Sequence, residues 1–255
     1  MNNEFHSFDL NKTTKSVFLN QNNSNRIVVL NTLFLIALLV TGNANPMAIV
    51  FAFVFETVII GLIHIVKLIC LIPYGDDQSR TQSKFLKVAL IGFFLIHYGF
   101  FVFIQSTFLY LAFTLFDTRF STSLSFDNLK VILQLEGFYF AMLSISLGHI
   151  VEFFFNFIKN KKYKDLNFIK YYPKPYLRIF IQQFVAIIPF FFLFFGNSVG
   201  FIAALMLILI RAFMDLYLNG ISRKPARLDK ITRYLSKEKP EEYEKVKEML
   251  LVFFE

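Results

Sequence analysis

Apolar residues cluster in six stretches separated by polar ones: 26–42, 46–72, 84–115, 134–159, 177–195 and 198–219. A hydrocarbon layer of about 30 Å is crossed by about 20 residues of helix, so these stretches predict transmembrane helices. The first and fifth are short; the third is long enough to tilt or project. Gly42-Asn43-Ala44-Asn45-Pro46 predicts a tight turn between the first two, with Pro46 in the first turn of the next helix, where proline is tolerated. Gly196-Asn197-Ser198 joins the last two in the same way. The expected fold class is all-α, an integral membrane bundle of about six transmembrane helices.

Flanking this domain, 26–219, are two polar tails. Residues 1–25 lack the apolar core and cleavage site of a secretory signal and are expected to form a disordered cytoplasmic tail. Residues 220–255 run from basic to acidic to apolar; Pro240 followed by Glu241, Glu242 and Glu244 predicts a short amphipathic helix. Its apolar end, Met249 to Phe254, is a candidate docking element for the bundle, the membrane, a second copy of the chain or a cytoplasmic partner. Between the third and fourth stretches, Phe116 to Leu133 is too polar for a span and is expected to lie in the interface on the far side.

Composition agrees. Hydrophobic residues make up 56% of the chain and the mean hydropathy is +0.54, values of the polytopic membrane class rather than of a soluble domain. Cys70 is the sole cysteine, which excludes an internal disulfide and a multi-cysteine metal site. Charge then sets orientation. Of 26 Lys and Arg residues, 23 fall in the N-terminal stretch up to Arg26, in the C-terminal tail and in the segments from Lys67 to Lys87 and from Lys159 to Arg178, with Arg119 and Lys130 opposite and Arg211 inside a span. Basic residues stay on the cytoplasmic side, so a multi-pass cell membrane protein, of the bacterial inner membrane, with both termini cytoplasmic is expected. That distribution accounts for the net charge of +8 without nucleic acid. Lys161, Lys162, Lys164 and Arg178, interleaved with tyrosines, are placed to contact anionic lipid headgroups.

Candidate chemistry lies in the polar residues within the spans. At about 1.5 Å per residue, Glu56, His97 and Arg211 fall near the midplane, with His149, Glu152, Asn156, Gln183 and Asp215 at or just inward of it. Insertion of one charged side chain at the bilayer centre costs about 2.5–3.5 kcal/mol, so these groups are expected to face one another. Arg211 and Asp215 are i,i+4 on one face, Glu56 is expected to pair with Arg211 or a histidine, and His149, Glu152 and Asn156 share one stripe. Three readings stay open: a packing network, a site for a divalent metal or small polar ligand built on Glu56, His97, His149, Glu152 and Asp215, and a proton or ion pathway as in a coupled transporter. A membrane module without catalysis, recruiting a partner through 240–255, is the competing class.

Glu56 in FETVIIGLIHIVKL, His97 in HYGFF, His149 in SLGHIVEFFFNFI, Pro175 to Ile179 (PYLRI) and Asp215 together resemble an uncharacterised family of bacterial and archaeal polytopic membrane proteins, a domain of unknown function. The likeness runs from about Pro46 to Asn219. It implies helices that carry an acidic residue and several histidines. This chain has Gln183 and Asn219 where the family tends to place histidines; both side chains keep a hydrogen-bonding role but are poor metal ligands.

No Gly-rich phosphate loop, nucleophile elbow, CxxC or HExxH occurs. Ser146 precedes His149 by three residues on one helix and is expected to bond a backbone carbonyl rather than act as a nucleophile.

Overall fold

The structure, a computed structural model, describes residues 10–114, 117–121, 126–176, 179–180, 183, 199–223, 225–236 and 240–254. Among them every regular element is a helix. Four helices are long and apolar enough to cross a membrane: within α2 (Pro46–Tyr74), within α4 (Lys84–Thr114), the helix α6 (Phe138–Glu152) continued to Lys159, and within α8 (Val199–Arg223). The apolar part of α1 (Leu10–Val40), Asn25–Val40, is shorter. The expected fifth stretch, 177–195, lies almost wholly outside the described residues. Helix α1 begins at Leu10, so the segment expected to be disordered up to residue 25 is helical over its second half. Helix propagation adds one hydrogen bond per residue once a nucleus exists, and the apolar half supplies the nucleus.

Local chemistry sets the ends of α2. Gly42 takes the left-handed turn at φ +74°. The side chain of Asn45 accepts from the Met47 N–H at 2.8 Å, and Pro46, with no N–H to satisfy, fills the first helical position. Over half of its apolar stretch, 56%, is buried, against 17% in α4 and 22% in α6, so α2 is the central helix. It packs on α4, α6 and α8, while α1 packs on α6 and α8. Helices α2, α6 and α8 run the same way, as the neighbours Ala44 and Gly137, Tyr74 and Tyr163, and Pro46 and Gly200 show.

The main core fills the bundle half nearer Pro46. Seven consecutive residues of α2, Ala48 to Val54, are buried there with Phe113, Phe138, Ala141, Leu207 and Ile208. Phe51 lies 5.0 Å from the Phe113 ring and 6.0 Å from Phe120. The segment expected at the interface thus turns inward: in α5 (Phe126–Leu133), Ile132 and Asn128 are buried, and the Asn128 amide donates to the Tyr110 hydroxyl at 2.8 Å.

At the opposite end two loops lock together. Asp76 caps α3 (Asp77–Thr81) by accepting from the Ser79 N–H at 2.6 Å, Ser79 Oγ accepts from the Phe168 N–H at 2.7 Å, and the Asp76 N–H donates to the Leu166 carbonyl at 3.2 Å. Asn167 caps α7 (Phe168–Tyr171). Lys87 is fully buried, donates to the Ser79 carbonyl and stands 5.8 Å from the Phe168 ring. His64 donates through Nε2–H to the Tyr172 carbonyl, 3.2 Å away, with its ring 5.3 Å from Tyr171 and 5.0 Å from Phe94. The loop after α6, expected as a surface loop, therefore buries Phe168 and Tyr171 against α2.

Beyond α8, α9 (Pro225–Leu235) and α10 (Pro240–Phe254) pack on each other and on α8, and α10 also on α7. Both α9 and α10 lie in the segment 220–255. The Tyr243 hydroxyl donates to Asp229, which Arg233 Nε also contacts at 3.0 Å. The Tyr243 hydrogen bond, helped by Arg233, holds the Asp229 carboxyl below the usual carboxylate range.

Gly137 opens α6 at φ +77°, and a Cβ there would lie 2.5 Å from Ala44 Cα and Asn43 O, both backbone atoms that cannot step aside. Gly137→Ala is expected to cost about 1–3 kcal/mol of stability. Gly92→Ala, a helical position with nothing within 4 Å, is expected to gain about 0.5–1 kcal/mol. Unfolding of both variants in detergent micelles measures the contrast.

Candidate functional site

Three helices that run in one direction each deliver a polar side chain to one level of the bundle. Glu56 of α2 is completely buried. Both of its oxygens take N–H donors from the Arg211 guanidinium of α8, and Oε1 also lies 2.5 Å from His149 Nε2 of α6. Arg211 Nε donates to Asp215 at 3.3 Å, one turn along the same helix, and its guanidinium sits 4.8 Å from the centre of the Phe53 ring. Bidentate guanidinium–carboxylate contact is the strong form of ion pair, and the flat Phe53 face shields it. Around these residues the three helices are largely apolar, which is why the sequence turns these groups inward.

Charge at this level is fixed by composition. Two carboxylates oppose one guanidinium, so Glu56, Asp215 and Arg211 together carry one net negative charge. A second ring proton on His149 would cancel it, as would a proton on either carboxylate. Next along α6, Glu152 lies 3.9 Å from Lys67 Nζ, a pair that closes its own charge; Lys67 also stands 5.5 Å from the Phe157 ring.

The remaining expected residues lie elsewhere. His97 sits on α4, its ring 5.1 Å from Phe93, 5.0 Å from Phe101 and 5.4 Å from Tyr176, and its buried Nδ1 has no hydrogen-bond partner among the described residues. Tyr98, next along, faces α2 instead and donates to the Thr57 carbonyl at 2.7 Å. Gln183 donates to the Phe101 carbonyl at 3.1 Å, which places it beside His97 rather than beside Glu56. Asn156 is half-buried in a π-helical segment, Phe153–Lys159, that continues α6. The wide turn shifts the phase, so the stripe from His149 does not run on at α-helical spacing. Asn219 lies on α8 a turn beyond Asp215, its side chain outside the described residues. Lys161 and Lys164 are exposed and Lys162 half-buried on the turn after the π segment; Arg178 lies outside the described residues.

A metal does not suit this arrangement. Among the described residues no three His, Cys, Asp or Glu side chains converge as ligands. Both oxygens of Glu56 already face a permanent cation, which repels a second one. Ser146 Oγ is buried with no hydrogen-bond partner among the described residues, in place of the expected bond to a carbonyl. Two contacts escaped the sequence reading. The Ser144 hydroxyl donates to Asn31 Oδ1 of α1, and Tyr98 ties α4 to Thr57; neutral side chains of this kind stand out little from their apolar neighbours in hydropathy.

A helical bundle with four membrane-length apolar helices and a buried, ion-paired glutamate defines the class. Residues 19–232 match the family of unknown function DUF6498, and the chain belongs to it. No curated protein and no solved structure matches the chain.

Removing one partner strands the other's charge. Arg211→Met or Glu56→Leu alone is expected to lower stability by about 3–5 kcal/mol, and the double substitution by much less, because it leaves no unpaired charge between the two. Equilibrium unfolding in micelles, run as a double-mutant cycle, checks this.

Proposed function

We propose that this chain is a multi-pass cell membrane protein of six spans, both termini cytoplasmic, whose buried centre of Glu56, His149, Arg211 and Asp215 binds and releases a proton. The observation that carries the reading is His149 Nε2 at 2.5 Å from an oxygen of the buried Glu56 carboxylate, in a group of two carboxylates and one guanidinium that a protonated imidazole would bring to neutrality. An imidazole is the side chain whose charge changes near neutral pH, whereas the guanidinium keeps its proton.

Membrane residence is supported by the four apolar helices and by large apolar side chains on their outer faces, such as Leu62, Phe93, Phe100, Phe140, Leu147 and Phe213. A soluble monomer rarely exposes so many. The basic tails and loops support the orientation, and Lys161, Lys162, Lys164 and Arg178 would meet anionic headgroups there. The contacts of α10 with α7 and α8 support its own bundle as the docking partner of the C-terminal helix.

The sign of the pH effect follows. A proton held by His149 in the folded state contributes stability at low pH that is lost as pH rises through the imidazole's titration. The unfolding temperature in micelles is expected to fall as pH rises from about 6 to about 9, and His149→Gln is expected to flatten that step. An unchanged step in His149→Gln contradicts proton binding at this residue.

A further inference from the structure

Among the described residues of α2, α6 and α8, the other Asp, Glu, Lys, Arg and His side chains lie on one side of the Glu56 level. On α2, His64 and Lys67 follow it toward Tyr74. On α6, Glu152 follows His149, and on α8, Asp215 follows Arg211, all in the same direction. Toward the other end, α2 from Pro46 to Phe55, α6 from Phe138 to Gly148 and α8 from Gly200 to Ile210 contain no Asp, Glu, Lys, Arg or His. That half is filled by the main apolar core, with Ala48 to Val54 buried.

Exposure grades along the same line. Side-chain exposure is 0% at Glu56, 15% at His149, 20% at Asp215 and 46% at Glu152. The charges around His149 come from several helices. From α2 come Glu56 and Lys67, and from α8 Arg211 and Asp215. The neutral Asn31 of α1 bonds Ser144, and the charged Arg26 on that helix is exposed. Asp127 and Lys130 of α5 pair with each other beyond the far end. On α6 itself the further ionisable side chains are Glu152 and, near the opposite end, Tyr139.

Resting on the proton-binding reading above, we infer that the proton of the Glu56–His149 centre exchanges with one side of the membrane, the side of the tails, and that the centre is a sensor of cytoplasmic pH rather than a through-route. A transferred proton needs successive hydrogen-bonding groups, and among the described residues of α2, α6 and α8 the apolar half offers no Asp, Glu, Lys, Arg or His. The proton leaves the His149 ring for water at the Glu152 and Asp215 end; Glu56 then holds one cation, Arg211, instead of two. The segment that meets this change is the π-helix, whose first N–H groups bond back to His149: the Phe153 N–H reaches the His149 and Ile150 carbonyls. A π turn is a rare winding with an α alternative, which gives α6 two states to choose between.

The test uses the full chain with Cys70→Ala and Phe154→Cys, the latter an exposed position in the π segment. It carries a nitroxide label in vesicles of neutral and anionic lipid, inserted in one orientation as checked by protease access to residues 240–255. A pH step on the tail side is expected to change the label's mobility at once. The same step on the opposite side is expected to act only after protons have leaked across, at the rate of protein-free vesicles. His149→Gln is expected to abolish the response. An equally fast response to the opposite side, or proton flux through the vesicle wall above that of protein-free vesicles and lost in Glu56→Gln, overturns one-sided access while leaving proton binding standing. No response that depends on His149 from either side overturns both.

Discussion

A charge inside a low-dielectric bundle has to be paired, and that constraint organises this molecule. Glu56 is the most demanding case, a fully buried carboxylate on the central helix. Its two oxygens give it room for a bidentate guanidinium and an imidazole, and taking both joins α2 to α6 and α8 at one point. The apolar packing on either side of that point is non-directional; it holds helices together without fixing their rotation. The ion-paired centre supplies a direction, since turning α8 by one residue removes Arg211 from Glu56.

The ends of the bundle are fixed by different means. Near Pro46, aromatic rings of α2, α4 and the segment before α5 interlock around Phe51 and Phe120. At the other end, hydrogen bonds among Asp76, Ser79, Asn167 and Phe168, with buried Lys87 beneath them, staple two loops into one floor. The ion-paired centre thus lies between the apolar core and a hydrogen-bonded base, and the π-helical segment continues α6 toward that base.

Sequence and structure agree where hydropathy contrast is greatest. Glu56, Arg211 and Asp215 stand out because a charge in an apolar run has few places to go, and their meeting follows from depth and i,i+4 spacing. Depth alone gives a level and not a direction around the helix, which is why His97 was grouped with them. Its neighbours Phe94 and Tyr98 take the face toward α2, and a step of one residue turns His97 by about 100° to Phe101 and Tyr176. Nothing in the sequence sets Lys87 apart from the other basic residues of its segment, and only the fold of the distant loop 166–168 shows it buried. The π-helix has no compositional mark at all, since Phe153 to Lys159 is as suited to an α-helix.

The central claim is that His149 carries a proton against Glu56 in the folded protein. Nitrogen-15 NMR of the imidazole in the membrane-reconstituted chain, with the His149 signals assigned by their loss in His149→Gln, reads it directly. Two protonated ring nitrogens at neutral pH are predicted. A neutral ring with one bare nitrogen at that pH, while Glu56 and Arg211 remain paired, would contradict the account.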